Sequence, residues 1–186
     1  MPESQDCTIM SFKKQILYHS LLLSIVLGGI SCGSSKPAFY DPREVSLVSE
    51  RLGIPLSNKN KDDDKNMPLY AEASTWIGVP YRYGGNTKKG VDCSGLTSQM
   101  YKKIYRRNLP RTSAEQSGEG KDISKSKLQP GDLVFFATSS NKKQINHVGV
   151  ILKNGYFIHA SSSRGVTVNH IEEKYYKDRW KKAKRL

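Results

Sequence analysis

Cys93, His147 and His159 are the residues whose types could do covalent chemistry together. A thiol becomes a nucleophile when it loses its proton, an imidazole can take that proton, and a further polar group can hold the imidazole in one orientation. From the segment Gly90-Val91-Asp92-Cys93-Ser94-Gly95 onward, Leu96, Met100 and Ile104 recur four apart, so a helix starts at or near Cys93 and runs to Tyr105. A thiol at a helix N-terminus meets unpaired N–H groups and the positive end of the dipole, which predicts a pKa below the ordinary ~8.5. Each residue also has a plainer reading. A free cysteine is commonly a small buried hydrophobe, and a strand histidine is commonly half-exposed.

The histidines can be placed by strand register. His147–Leu152 and Tyr156–Ser161 are β-rich runs around Asn154-Gly155. A two-residue loop would pair Val150 with His159 and set a histidine among valines. A three-residue loop, Lys153-Asn154-Gly155 with Gly155 left-handed, pairs Leu152 with Tyr156, Val150 with Ile158 and Val148 with Ala160. That register makes one face wholly apolar and puts His147 and His159 on the other, with Gly149 leaving room for the second ring. His170 finds no partner in this reading and is structural or exposed.

The elements that must carry these residues are helices first and strands later. Leu69–Trp76 has helical spacing and ends at Gly78. After Pro130-Gly131, Leu133–Phe136, the two histidine-bearing strands and Val166–His170 come as short runs between turns. This order predicts an α+β domain on an antiparallel sheet.

The chain of 186 residues is one domain's length. With 37% apolar and 25% charged residues it is neither disordered nor a polytopic membrane protein. Its net charge of +13 favours anionic surroundings. Lys13-Lys14 precede an apolar run, Ile16–Ile30, broken by His19, Ser20 and Ser24; the run is too short for the ~20 residues of a membrane span and reads as a signal peptide over 1–31. It stops at Cys32, in the pattern of a bacterial lipoprotein cleavage and lipidation site. Cys7 leaves with the signal and Cys32 is taken by lipid, so Cys93 stays unpaired, a pattern that flags a reactive thiol. Residues 32–66, rich in Pro, Asn, Lys and Asp, read as a tether with a short helical stretch around Val45–Leu52, and the domain as 67–186.

Taken together these segments resemble the NlpC-type cell-wall peptidases, a papain-like group of cysteine hydrolases. The resemblance rests on Gly78-Val79-Pro80-Tyr81-Arg82-Tyr83-Gly84-Gly85, Asp92-Cys93-Ser94-Gly95-Leu96, Leu109-Pro110-Arg111-Thr112-Ser113, Pro130–Phe136, His147-Val148-Gly149-Val150 and Phe157-Ile158-His159-Ala160, in the family's order. Arg51-Leu52-Gly53-Ile54-Pro55-Leu56 is similar to the leader of its Spr lipoprotein branch. The resemblance implies a papain-like fold with Cys93 as nucleophile, His147 as base and His159 as the orienting group. It implies that Tyr81 lies beside the nucleophile, and that Asp92 and Ser94 line the substrate site and bind the amine of a stem peptide. It also implies a peptidoglycan endopeptidase that cuts the D-Glu to diamino acid bond of the γ-D-glutamyl-diaminopimelate type; the alternatives are the cross-link cut by D,D-endopeptidases of the Spr kind, or a non-catalytic envelope-binding module.

A zinc site built from the three candidates is the main chemical rival, but no CxxC or HxxxH pair accompanies them, and no metal or cofactor is expected. The basic runs Lys102-Lys103, Arg106-Arg107 and Lys181–Arg185 read as solvated faces rather than a polymer-binding surface. The expected partners are peptidoglycan stem peptides and, through the lipid, a membrane; no nucleic acid is expected, because the chain is exported. The expected state is a monomer on the outer membrane, facing the periplasm.

Overall fold

The computed structural model describes residues 40–186, so the expected signal segment and lipid site at Cys32 lie outside the described residues. Helix α1 spans Pro42–Leu52: Asp41 caps it by accepting the Arg43 N–H, Pro42 occupies the first turn, and Gly53 ends it at a φ of 65°. Val45, Val48 and Leu52, spaced to fall on one face, are buried in the main core. Helix α2 spans Lys61–Ser74 and is capped by Asn60, which accepts from the Asp62 and Asp63 N–H groups.

Helix α1 covers the short helical stretch expected around Val45–Leu52, whereas α2 begins within the segment read as tether, so the domain start expected at Met67 falls inside a helix. Composition hid this helix start. Asp62, Asp63 and Asp64 sit in the first turn, where the dipole favours acid. Asp63 is also buried, and it accepts from the Ser57 N–H at 2.9 Å and from Lys153 Nζ at 2.7 Å.

Two short strands, β1 (Asn86–Thr87) and β2 (Gly90–Val91), pair just ahead of helix α3 (Cys93–Tyr105). The one-turn helix α4 (Ser113–Gln116) comes next. The main sheet has six antiparallel strands in the order β3-β8-β4-β5-β6-β7. They are β3 (Lys121–Ile123), β4 (Leu133–Phe136), β5 (His147–Ile151), β6 (Tyr156–Ser161), β7 (Gly165–His170) and β8 (Trp180–Arg185), with the short helix α5 (Lys174–Lys177) before β8. Period-two alternation divides the sheet. Leu133, Phe135, Val148, Val150 and Ile158 face α1, α2 and α3 in one core. Val134, Phe136, Ile151, Phe157 and Ala183 face Tyr176 and Trp180 in the other.

The β5–β6 register is the expected one: Val150 pairs with Ile158, and the Leu152 N–H donates to the Tyr156 carbonyl. The loop differs in how it makes that register. Both Asn154 and Gly155 have positive φ, 50° and 82°, in a tight turn closed by the Tyr156 N–H to the Lys153 carbonyl. A one-residue bulge at Leu152-Lys153 then supplies the extra residue.

Strand β8 is a correction to the expected solvated basic tail. It lies between β3 and β4, with Ala183 and Lys184 buried. Lys184 reaches Asp122 at 3.1 Å, and Arg185 grips Asp132 through two contacts of 2.7 Å. The long aliphatic stems cover apolar surface while the charged ends find carboxylates, which is how a basic run can pair as a strand.

Candidate active site

The site starts from Asp92, which ends the irregular segment before α3. Its Oδ1 accepts the Gly95 N–H at 2.7 Å, an N-cap that makes Cys93 the first helical residue. Cys93 is 8% exposed, and its Sγ–H faces the Asn146 carbonyl at 4.0 Å. The Val148 N–H also faces the sulfur, so the thiol is held against the chain on both sides of His147.

Cys93, His147 and His159 line one cleft of about 570 Å³, with Tyr81 and Tyr83 on its wall. His147 Nε2 lies 3.0 Å from His159 Nδ1, with the two rings edge-on. The structure brings together the three residues expected to act together, and Tyr81 has its pKa raised by burial first and then by its closeness to Cys93, whose thiolate form would carry charge. Gly149 makes the approach possible, since a Cβ there would fall 2.6 Å from Phe157 Cδ2 and 3.2 Å from His159 Cβ.

Beyond His159 runs a chain of contacts that the sequence reading missed. His159 Nε2 is 3.0 Å from Asn169 Oδ1 and 3.0 Å from Tyr176 Oη. Asn169 Nδ2 donates to Glu173 Oε2 at 2.7 Å, which turns the amide so that its oxygen faces the histidine. Tyr176 donates toward the same oxygen at 3.5 Å. These contacts assign the protons. His159 Nε2–H donates to Asn169, its bare Nδ1 accepts from His147 Nε2–H, and His147 is left with an unprotonated Nδ1 able to take a proton. Extending the strand register one step further would have found Asn169, because β7 pairs it with Phe157 on the face that carries His159.

Asp92 and Ser94, expected to bind substrate, lie outside the cleft lining. Both belong to a network around Arg111, another residue without an expected role. Arg111 Nη2 and Nη1 reach the two Asp92 oxygens at 2.6 and 3.1 Å, and Nη1 also donates to Ser94 Oγ at 3.0 Å. The Gly84 N–H donates to Asp92 Oδ2 at 2.9 Å. Burial alone would raise the Asp92 pKa, but Arg111 and the Gly95 and Gly84 N–H groups outweigh it and hold the carboxyl below its ordinary value.

Desolvation pushes the pair toward its neutral forms, against the expectation of a lowered thiol pKa. Burial pushes the Cys93 thiol up and the Asp92 charge adds to this, against N–H groups of Val148, Ser94 and Cys93 that draw it down. Loss of solvent, with the neighbouring His159, pushes His147 down to about 3; burial pushes His159 down to about 4, against the Asn169 hydrogen bond. A helix start favours thiolate, but desolvation is the larger effect here. Among the described residues, no three His, Cys, Asp or Glu side chains converge in a way that could hold a metal ion.

The NlpC/P60 family model matches residues 78–185. The chain is 42% identical to the murein DD-endopeptidase MepS/murein LD-carboxypeptidase of Escherichia coli, over 90% of this chain and 89% of that protein. It is 36% identical to the gamma-DL-glutamyl hydrolase of Bacillus subtilis, over 61% of this chain and 28% of that protein. A solved NlpC/P60 family protein from Bacillus cereus matches with a TM-score of 0.60 and 32% identity, over 64% of this chain and 39% of that one.

Buried His159 and half-buried His147, both held below the ordinary imidazole pKa, make the fold sensitive to acid. Because their folded pKa values lie below the unfolded ~6.5, the unfolded chain binds protons more readily as pH falls. Their contribution is complete above pH ~6.5 and is lost as pH drops toward about 4 for His159 and about 3 for His147. His159 alone should account for a loss on the order of 3 kcal/mol across its window. Urea unfolding at pH 7 and pH 4.5 should show this loss, and His159→Gln, which has no proton to gain, should lose less between the two. An equal loss in both proteins would place the acid sensitivity elsewhere.

Proposed function

The chain belongs to the NlpC/P60 family and is a cysteine-type peptidoglycan hydrolase, and from that premise we propose that Cys93 is its nucleophile, His147 its general base and His159 the group that orients the base. The observation that carries this reading is the 3.0 Å contact from His147 Nε2 to His159 Nδ1, beside a thiol packed against Asn146 and Val148 in one cleft.

Because thiol and imidazole both rest neutral, proton transfer accompanies attack. As Cys93 Sγ bonds to the carbonyl carbon of a stem-peptide bond, its proton passes to His147 Nδ1. The imidazolium formed is supported at Nε2–H by His159, and through it by Asn169 and Glu173. His147 then gives the proton to the leaving amine as the C–N bond breaks, leaving a thioester. Water, losing a proton to His147, attacks the thioester; the carboxylate product leaves and the thiol is restored. A module that only bound the wall would need none of this arrangement.

The scissile bond is read as the cross-link between stems. The Escherichia coli relative, matched over nearly its whole length, is named a DD-endopeptidase. Asp92, the expected acceptor for a stem's free amine, already takes five hydrogen bonds, two of them from Arg111, so no oxygen is left to select an uncapped N-terminus. The γ-D-glutamyl bond within one stem is the second reading, supported by the similarity to the Bacillus subtilis hydrolase.

The substrate lies outside the cytoplasm, and so does the working enzyme. No helix among the described residues is long and apolar enough to cross a membrane. The apolar run ending at Cys32 supports a lipid anchor on that cysteine, in the outer membrane and facing the periplasm, where diacylglyceryl and N-acyl chains together would hold it stably; the anchored enzyme is read as a monomer.

Purified muropeptides digested by the enzyme and weighed by mass spectrometry should show cross-linked dimers falling to monomers, with no turnover by Cys93→Ala. Cleavage within uncross-linked monomers alone would replace the first bond with the second, and turnover by Cys93→Ala would remove the nucleophile. Asn169→Leu should leave Tyr176 free to donate to His159 and reverse both tautomers, lowering kcat by about 10²-fold or more, with KM little changed. Asn169→Asp keeps an acceptor there, so it should recover part of kcat while moving the acid limb of the pH profile upward; equal kcat in all three proteins would refute the relay. Mass spectrometry of the membrane fraction should find acylated Cys32 as the first residue, and an unmodified Cys32 there would disprove the anchor.

A further inference from the structure

The cleft contains a cation that the reaction chemistry leaves unused. Arg164 lines it together with Cys93 and His147, at the end of the exposed Ser162-Ser163-Arg164 loop between β6 and β7. The base of this loop is fixed. Gly165 comes next at a φ of 71°, and β7 is tied to the segment before the thiol by the Gly78 N–H to the Val166 carbonyl at 2.9 Å and the Val166 N–H to the Val79 carbonyl at 2.8 Å. Arg164 is therefore presented from a loop anchored at its base, a short distance in the chain from the relay residue Asn169.

The guanidinium is poorly matched by the protein itself. Its Nη2 donates to Asn169 Oδ1 at 3.1 Å, and among the described residues it makes no ion pair. Glu173, the carboxylate lining the same cleft, is turned elsewhere: one oxygen takes the Asn169 Nδ2–H and the other the His170 N–H, both at 2.7 Å. Arginine has five donors in a planar fork that suits two-point contact with a carboxylate. Asn169 takes one donor and the Tyr176 hydroxyl is within reach of another, while the exposed remainder of the fork faces the cleft.

Peptidoglycan stems supply such a group. A D-glutamyl residue joined through its side chain keeps a free α-carboxylate, and a diamino acid joined through one amine and one carboxyl keeps another. With the cleft taken as the stem-peptide site of a Cys93 hydrolase, on which this inference rests, we propose that Arg164 receives a free carboxylate of the stem peptide and so selects acidic stems over amidated ones. A carboxylate held there lies beside the oxygen that orients His159, so recognition and the relay meet at Asn169. Removing the Arg164 side chain leaves the Asn169 to Glu173 contact in place but takes one donor from the Asn169 oxygen, so its recognition role is read from the preference between two substrates and not from kcat alone.

The test uses matched muropeptides that differ only in carrying a free carboxylate or its amide. Wild-type enzyme should show a kcat/KM ratio of about tenfold or more in favour of the acid, the usual scale for a charge-assisted contact. Arg164→Gln should bring that ratio near one, and Arg164→Lys, which keeps the charge without the fork, should fall between. The ratio is internal to each protein, so a smaller folded fraction does not alter it. If a variant turns over neither peptide, affinities of the full chain carrying Cys93→Ala, with and without Arg164→Gln, read the same preference without chemistry. A wild-type ratio near one, or an unchanged ratio or affinity preference in Arg164→Gln, would overturn the proposal. Failure of wild type to cleave any muropeptide would instead count against the proposed function, while the affinities would still decide this inference.

Discussion

The site depends on strand register. On β5, β6 and β7, His147, His159 and Asn169 lie on one face, while Val148, Ile158 and Val168 belong to the core beneath the helices. A slip of one residue would exchange the two sets, placing imidazoles in the core and valines in the cleft. The apolar face holds the register from below, and the turn holds it from the end: two positive-φ residues and a bulge at Leu152-Lys153 admit one pairing. Lys153 is pinned as well, with Nζ shared between Asp63 and the Pro55 carbonyl at 2.7 and 2.8 Å.

Given that register, the chemistry is set by neutral side chains from His147 to Tyr176, with charge only at the edge of the relay, in Glu173 and Arg164 on Asn169. His147, His159, Asn169 and Tyr176 are neutral, and the nearest acid, Glu173, acts through the Asn169 amide. A carboxylate in place of that amide would favour the imidazolium of His159 and blur which nitrogen of His147 is bare. An amide locked by Glu173 gives direction without charge. The cost falls on the thiolate, because desolvation pushes the Cys93 thiol up and His147 down and so works against a stored ion pair. Asp92 is handled the opposite way: its charge is kept and fully paired, which lets it cap α3 beneath a neutral thiol.

Much of this was legible in the sequence, for physical reasons that differ by element. The start of α3 at Cys93 and the β5–β6 register were readable because apolar spacing and face exchange are strong constraints on short segments. The beginning of α2 was not, because its first turn is stabilised by a cap and a dipole rather than by apolar periodicity. Strand β8 was hidden by its lysines, whose stems and not their charges decide the pairing. Asn169 and Arg111 were missed for another reason. A neutral amide and an arginine carry no signal of their own, and their parts become visible only once the strands and the α3 cap bring them to their partners. The resting state of Cys93 could not be read at all, since the helix start is a local feature and burial is not.

The docked α1 and α2 also change what an anchored enzyme could reach. A tether running from Cys32 to residue 66 would have let the domain sample more than 100 Å, at about 3.5 Å per residue when fully extended. The helices belong to the domain from Pro42 onward, with Val45, Val48 and Leu52 in its core and Asp63 joined to the β5–β6 turn. If Cys32 carries lipid, only residues 33–41 separate it from the packed chain, a span of about 35 Å at most. Shortening the leash thus has two effects at once. With the proposed lipid on Cys32, it would confine cleavage to wall close to the membrane, and the docked α1 and α2 are part of the scaffold that keeps His147 and His159 in register.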